Sequence, residues 1–399
     1  MLSVGDLVNS VKEIGPEFLK RNSKACDNRS IPENSINDLI ESKVLRACMP
    51  KKFGGFELPF GAHTDVAYEI SKYCGSTGWV AGVLGSHNWW IGKYEPEAQF
   101  EVWEKNQNTL IGAAFASKKG SCAHPQKNGF TIAGEWMWCS GVEFCDWVSL
   151  MVPVFENNKD PVLSMVLLRK GEFEIRDVWN SPGLRATGSN NVVVKNIIVP
   201  KHRITKLSDL NQKDSPGSKL NSSSVYKLPM LDVFGYAVAM PTLGCASATL
   251  NHYIESVRNK FALDNVKIIE IQSQQLRVAE SSMEIDFALN LYNSDLKIMW
   301  DKAGKNESFD NDQLLKFKRN CSYVAKVAKK AVDRIIDGMG AGAITYTNPA
   351  YVSYTDTIAG ASHRALSWDI NGTLWGKNLF GISDNLSEVD RRNKKNLKN

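Results

Sequence analysis

A chain of 399 residues, 43% hydrophobic and 23% charged, has the composition of a folded globular protein rather than a disordered one. Its net charge of +5 sits in the end "RRNKKNLKN", which holds five Arg/Lys and no acid, so the body is balanced and nucleic-acid binding is not expected. No apolar run reaches the roughly 20 residues of a membrane span, and "MLSVGDLVNSVKEIGPEF" lacks the apolar core of a secretory signal, so the expected location is the cytoplasm.

Residues 1–107 read as an N-terminal helical domain. "PENSINDLIESKVLRA" has a Pro-Glu-Asn start and helical apolar spacing, and the turn "PKKFGGFELPFG" follows. A second helix is predicted through "AHTDVAYEISKYC", and a third after Gly85 with "HNWWIGKY".

The grammar changes over 108–207. "GFTIAGEWMWCSG", "WVSLMVPVF", "VLSMVLLRK" and "NNVVVKNIIVP" are short β-branched or aromatic runs broken by Gly, Asn, Asp and Pro. They predict a middle antiparallel β-barrel or sandwich. The eight cysteines (26, 48, 74, 122, 139, 145, 245, 321) contain no CxxC pair, so buried reduced thiols are expected and no metal site. Cys139 and Cys145 accordingly belong to a wall, together with Trp136, Trp138 and Trp147.

Residues 208–224, "SDLNQKDSPGSKLNSSS", read as a polar linker loop. Over 225–399 the helical period returns, ahead of the basic tail. Val324, Val327, Ala328, Ala331, Val332 and Ile335 form one stripe, and Leu276, Ala279, Met283 and Phe287 another, predicting a C-terminal four-helix bundle. "GMGAG" at 338–342 follows a helix rather than a strand and reads as a helix terminus and turn, not a dinucleotide loop. The fold class is α+β.

Three stretches carry a family resemblance: "GEWMWCSGVEFCDW", "GLRATGSNNVVVKNIIVPKHR" and "DTIAGASHRALSWD". In order and spacing the chain resembles the acyl-CoA dehydrogenase fold superfamily. Within it, the chain is most similar to the oxygenase components of two-component flavin-dependent monooxygenases. The resemblance implies reduced flavin (FADH2 or FMNH2) and O2 as cofactors, reacting through a C4a-(hydro)peroxyflavin. It also implies a separate NAD(P)H:flavin reductase, a small aromatic or heteroaromatic substrate and a homotetramer.

The same resemblance assigns site residues. Trp138 takes the position of a flavin-packing Trp, and Ser140 that of a hydroxyl near flavin N5, with Gly141 following. A flat cofactor wants apolar faces and one hydroxyl at its reacting edge. Backbone groups around Phe115 to Ser117 are expected to hold the pyrimidine edge, and Arg185 a phosphate or flavin carbonyl. His363 and His87 are the expected catalytic histidines, since imidazole donates or accepts near neutrality. Trp89, Trp90, Phe144 and Trp368 are expected to line an aromatic pocket, with His124 as a further candidate from the phenol-hydroxylase pattern.

A dehydrogenase is the alternative enzyme. Many dehydrogenases carry a Glu base nine residues after the Arg of an R-D motif. Here Thr355 and Asp356 stand at that motif and Arg364 at the base position, and a cation cannot abstract a proton. "AFASKKGSCAHPQKNG" also lacks the acid-bearing loop of that family. A non-catalytic flavin-fold binding protein is the remaining alternative.

Overall fold

The computed structural model describes residues 2–155, 160–262 and 264–382; the basic tail lies outside them. Five helices come first: α1 (Val4–Asn28), α2 (Glu33–Glu41), α3 (Gly61–Ser71), α4 (Gly75–Ile91) and α5 (Pro96–Trp103). Ser3 and Asp6 form a capping box that starts α1. Leu7, Val11 and Phe18 form its buried stripe. Helix α4 is buried on every side, as expected of a helix with almost no charged residue along its length.

The middle region is a nine-stranded sheet. Its strands are β1 (Ile111–Ala114), β2 (Ala116–Ser117), β3 (Cys122–Gln126), β4 (Gly129–Cys139), β5 (Trp147–Val154), β6 (Val162–Arg169), β7 (Glu174–Arg176), β8 (Asn190–Val199) and β9 (Ile204–Lys206). The order is β7-β8-β4-β3-β5-β6-β9, with β2 on β4 and β1 on β5. Most pairs are antiparallel, but β1 runs parallel to β5, and β3 makes a parallel bridge to it. A wholly antiparallel barrel is therefore corrected to a mixed one. The strand interior is a separate core that includes Ile132, Trp136, Cys139, Val148 and Val192.

One irregularity in β4 positions the site. The β4–β8 register shifts between Trp136 and Cys139, so both of these side chains point inward and are fully buried. The extra residue is a bulge. It holds Trp138 at φ 65 and leaves that indole 57% exposed.

Residues 208–228 are more than a polar loop. After the short α6 (Leu207–Leu210) the segment packs across the end of α4. Lys93 Nζ donates to the Gln212 and Leu228 carbonyls, Asn221 to Gly92, and Tyr226 to Cys48.

The C-terminal helices are α7 (Met230–Val233), α8 (Gly235–Val257), α9 (Gln272–Gly304), α10 (Asn311–Ile336), α11 (Pro349–Ala361) and α12 (Trp368–Leu379). Met230–Val257 is long and apolar enough to span a membrane, although no such run was expected from the sequence. Its apolar window is wholly buried inside the protein, as a core helix is. The α10 stripe from Val324 to Ile335 is buried as predicted. The α9 stripe is not. Ser281, Ile285, Ala288, Tyr292 and Met299 face inward, while Leu276, Met283 and Phe287 are exposed.

Candidate active site

The end of β4, the inner face of α4 and the start of the turn after α11 converge on one place. Four residues of α4 fall on one side of the helix: Trp79, Val83, His87 and Trp90, spaced by four, four and three. Trp79 Nε1 donates to Ser140 Oγ at 3.1 Å. Its ring lies edge-on to the His363 imidazole, with centroids 5.7 Å apart. His87 and Trp90 lie 4.6 Å apart, and Trp90 also meets Phe115 at 5.5 Å and Phe234 at 5.4 Å. Phe234 in turn faces His363. These six rings form an aromatic box beside Ser140, and none of them supplies a carboxylate.

Ser140 is the head of a hydroxyl chain. Its Oγ lies 2.8 Å from Ser189 Oγ, which lies 2.7 Å from Thr187 Oγ1. Thr187 donates to the Leu184 carbonyl, which can only accept. Each hydroxyl has one proton, so Ser189 donates to Thr187, Ser140 to Ser189, and Trp79 to Ser140. The order of donors is set from both ends.

That chain is braced by the "GLRATGS" turn. Leu184 N–H donates to the buried Asp356 carboxyl on α11, and Gly183 approaches the Thr355 carbonyl so closely that a Cβ there would lie 1.9 Å from it. Burial lifts the Asp356 pKa to about 7, with the Leu184 N–H working against it. Gly141, at φ 69, turns the chain out of β4 and donates to the Thr187 carbonyl.

The two histidines have opposite tautomers. His87 Nδ1 meets the Ile111 carbonyl, so Nδ1 carries the proton. Burial lowers the His87 pKa to about 4, the Ile111 carbonyl opposing. The ring is neutral at pH 7 and its Nε2 is an acceptor. His363 caps the turn after α11, and its Nδ1 accepts from Ala365 N–H at 3.2 Å. In its neutral form Nε2 therefore carries the proton and donates.

Several expected residues lie elsewhere. Trp89 is one residue, about 100° around the helix, from Trp90; it donates to the Val225 carbonyl and packs on Phe60. His124 pairs with Thr131 at the opposite end of β4 and stacks on Phe155, about 30 Å of strand from Ser140. Trp368 packs on Tyr323 and Lys326 of α10. Arg185 donates to the Cys26 and Ser181 carbonyls and to Asn180 Oδ1, a staple between the turn and α1. Phe144 packs half-buried against the helical core. Phe115 joins the box with its side chain, while Ser117 pairs with Trp136 across β2 and β4. Burial pushes the Cys139 thiol up to about 12 and Cys145 well above its ordinary value, so both are inert.

The sequence reading missed Trp79, Phe234, Ser189 and Thr187. Trp79 was recoverable, because it shares the helical face of His87. Phe234 and the two hydroxyls reach the site only through tertiary packing.

Nothing in the box can remove an α-proton as a carboxylate would, while the hydroxyl and the two imidazoles suit a flat cofactor's edge and a polar aromatic ligand. The architecture and site define a flavoprotein-type fold of the acyl-CoA dehydrogenase class. A family model, the acyl-CoA dehydrogenase C-terminal domain, matches residues 236–368. The chain is 28% identical over 371 residues to the flavin-dependent monooxygenase oxygenase subunit HsaA of Rhodococcus jostii, covering 92% of this chain and 96% of that one. It is 27% identical to the FADH(2)-dependent resorcinol hydroxylase oxygenase component of a Rhizobium species, covering 94% of each. The solved 3-HSA hydroxylase of Rhodococcus sp. RHA1 superposes with a TM-score of 0.90 at 26% identity, covering 96% of this chain and 98% of that one. Along nearly its whole length the chain is thus similar to oxygenase components of flavin-dependent monooxygenases built on this fold.

Proposed function

We propose that the protein takes reduced flavin (FADH2 or FMNH2) from a separate NAD(P)H:flavin reductase and, with O2, hydroxylates a phenolic ring held in the aromatic box. The observation that carries the phenol reading is the neutral, fully enclosed His87 with its acceptor Nε2 inside a box of aromatic rings. A phenol hydroxyl donates to such an acceptor, and the rings bury its apolar body.

The residues fit a flavin. Trp138 offers an exposed flat face, and Ser140 a hydroxyl at the adjoining strand end. Gly141 adds a turn without a side chain. Trp138, Ser140 and Gly141 would hold the ring, and the reduced cofactor would supply the electrons that activate O2. This chain's own residues bind, orient and exclude. Ser140 places a hydroxyl whose orientation is fixed by Trp79, Ser189 and Thr187. His363 holds a proton at Nε2 on the α11 side of the box. Trp79, Trp90, Phe115 and Phe234 keep water from the reacting edge.

The exposed Leu276, Met283 and Phe287 support self-association, because a run of large apolar side chains on one helix face marks an interface. A homotetramer acting in the cytoplasm is the assembly proposed. The functional reading is tested by flavin affinity: equilibrium titration under argon gives tighter binding of reduced than of oxidised flavin. A tightly held stoichiometric oxidised FAD, reduced anaerobically by an acyl-CoA, would replace this reading with a dehydrogenase.

A further inference from the structure

Trp90 sits in the middle of the aromatic box, fully buried, and its indole N–H has no acceptor among the described residues. Its neighbours do not share this condition. Trp79 spends its N–H on Ser140, Trp89 on the Val225 carbonyl and Trp136 on the Met151 carbonyl. Trp103 shares the deficit but packs against Phe53, away from both histidines. Indole is a donor only, and a buried donor without an acceptor is costly enough that structures rarely leave one.

The indole ring that carries this N–H is a close neighbour of the His87 imidazole. The His87 ring is 4.6 Å away and inclined by 36°, and its Nδ1–H is committed to Ile111, leaving Nε2 as an acceptor. An unpartnered indole donor and an imidazole acceptor on neighbouring rings complement a hydroxyl group, which is one of each. A sulfide or an unsubstituted arene would satisfy neither.

We propose that Trp90 is a specificity-determining residue: its indole N–H donates to the oxygen of the substrate's phenolic hydroxyl, while that hydroxyl donates to His87 Nε2. The assignment rests on the phenol reading above and adds to it a second contact, from a residue type usually taken as wall. Phe115 and Phe234, themselves 5.6 Å apart, both pack on the indole, so the donor is held in place before the ligand arrives.

The test uses the full chain with reduced flavin under argon and two probes, 3-fluorophenol and fluorobenzene, titrated by 19F NMR. In the wild type the phenol binds more tightly than the arene. Trp90→Phe weakens 3-fluorophenol about tenfold, the size of one hydrogen bond, and leaves fluorobenzene within about twofold. Equal weakening of both probes, or of neither, overturns the role of Trp90 while leaving the phenol reading standing. A wild-type protein that does not prefer the phenol removes both. If Trp90→Phe does not fold, wild-type protein with 15N-labelled tryptophan reads the same bond. Of its eleven indole N–H signals, one shifts downfield with 3-fluorophenol and stays put with fluorobenzene. No such signal overturns the proposal.

Discussion

Replacing His87 by Gln tests whether the box holds a neutral imidazole. Burial lowers the His87 pKa to about 4, against about 6.5 in the unfolded chain. Between these values the unfolded state binds the proton and the folded state does not, so stability falls as pH drops through 6.5 and stops falling below 4. At pH 5 the unfolded imidazole is almost fully protonated and the folded one about one-tenth so, which amounts to roughly 2 kcal/mol less stability than at pH 7 from this residue. Other buried groups titrate over the same range. His63, lowered to about 3, acts in the same direction, whereas Asp65 and Asp356, raised to about 6 and about 7, act against it. Only the difference between wild type and variant isolates His87. Urea unfolding at fixed protein concentration is measured for both at pH 7 and pH 5. Whatever packing His87→Gln loses is common to the two conditions, and the gap shifts by roughly 2 kcal/mol in the variant's favour at pH 5. A gap that does not move with pH refutes the neutral, desolvated histidine and with it the acceptor role of Nε2.

Ser140→Ala breaks the hydroxyl chain and leaves the Trp79 N–H without its acceptor, at a cost of about 1–3 kcal/mol in stability. It also raises the share of oxygen released as H2O2, and thermal unfolding with a peroxide assay reads both effects; unchanged coupling would take Ser140 out of the reaction. His363→Ala binds reduced flavin as the wild type does but loses product yield by roughly 10²- to 10⁴-fold, the usual weight of an acid–base group. Full coupling in that variant would remove the residue from the chemistry. Phe287→Glu on the exposed face of α9 shifts the sedimentation coefficient toward smaller species without altering the far-ultraviolet spectrum. A species unchanged in size would place the interface elsewhere.

How much of this was legible in the sequence depended on whether the signal was local. The α10 stripe repeats at helical spacing and is buried, because propensity, period and core agree there. The α9 stripe has the same period and is exposed, since periodicity reports an apolar face but not what covers it. Ser140 is assigned to the cofactor's edge by the resemblance. Trp138 was placed on the cofactor side by resemblance, while its exposure comes from a bulge that no alternation rule predicts. Trp89 and Trp90 look equivalent in "HNWW", but one helical step separates a core tryptophan from a box tryptophan. Trp368 and His124 follow plausible motifs and end up distant because the register of β4 and the packing of α12 on α10 carry them away.

The central claim is that this chain transfers one atom of O2 to a phenol when it is given reduced flavin. The direct measurement is a turnover with 18O2, a flavin reductase, NAD(P)H and a panel of simple phenols, with the products analysed by mass spectrometry. The account predicts a hydroxylated product carrying one 18O atom, dependent on the protein and absent when only oxidised flavin is present. Product oxygen derived from water, or flavin reduction by an acyl-CoA with no phenol oxygenated, would contradict it.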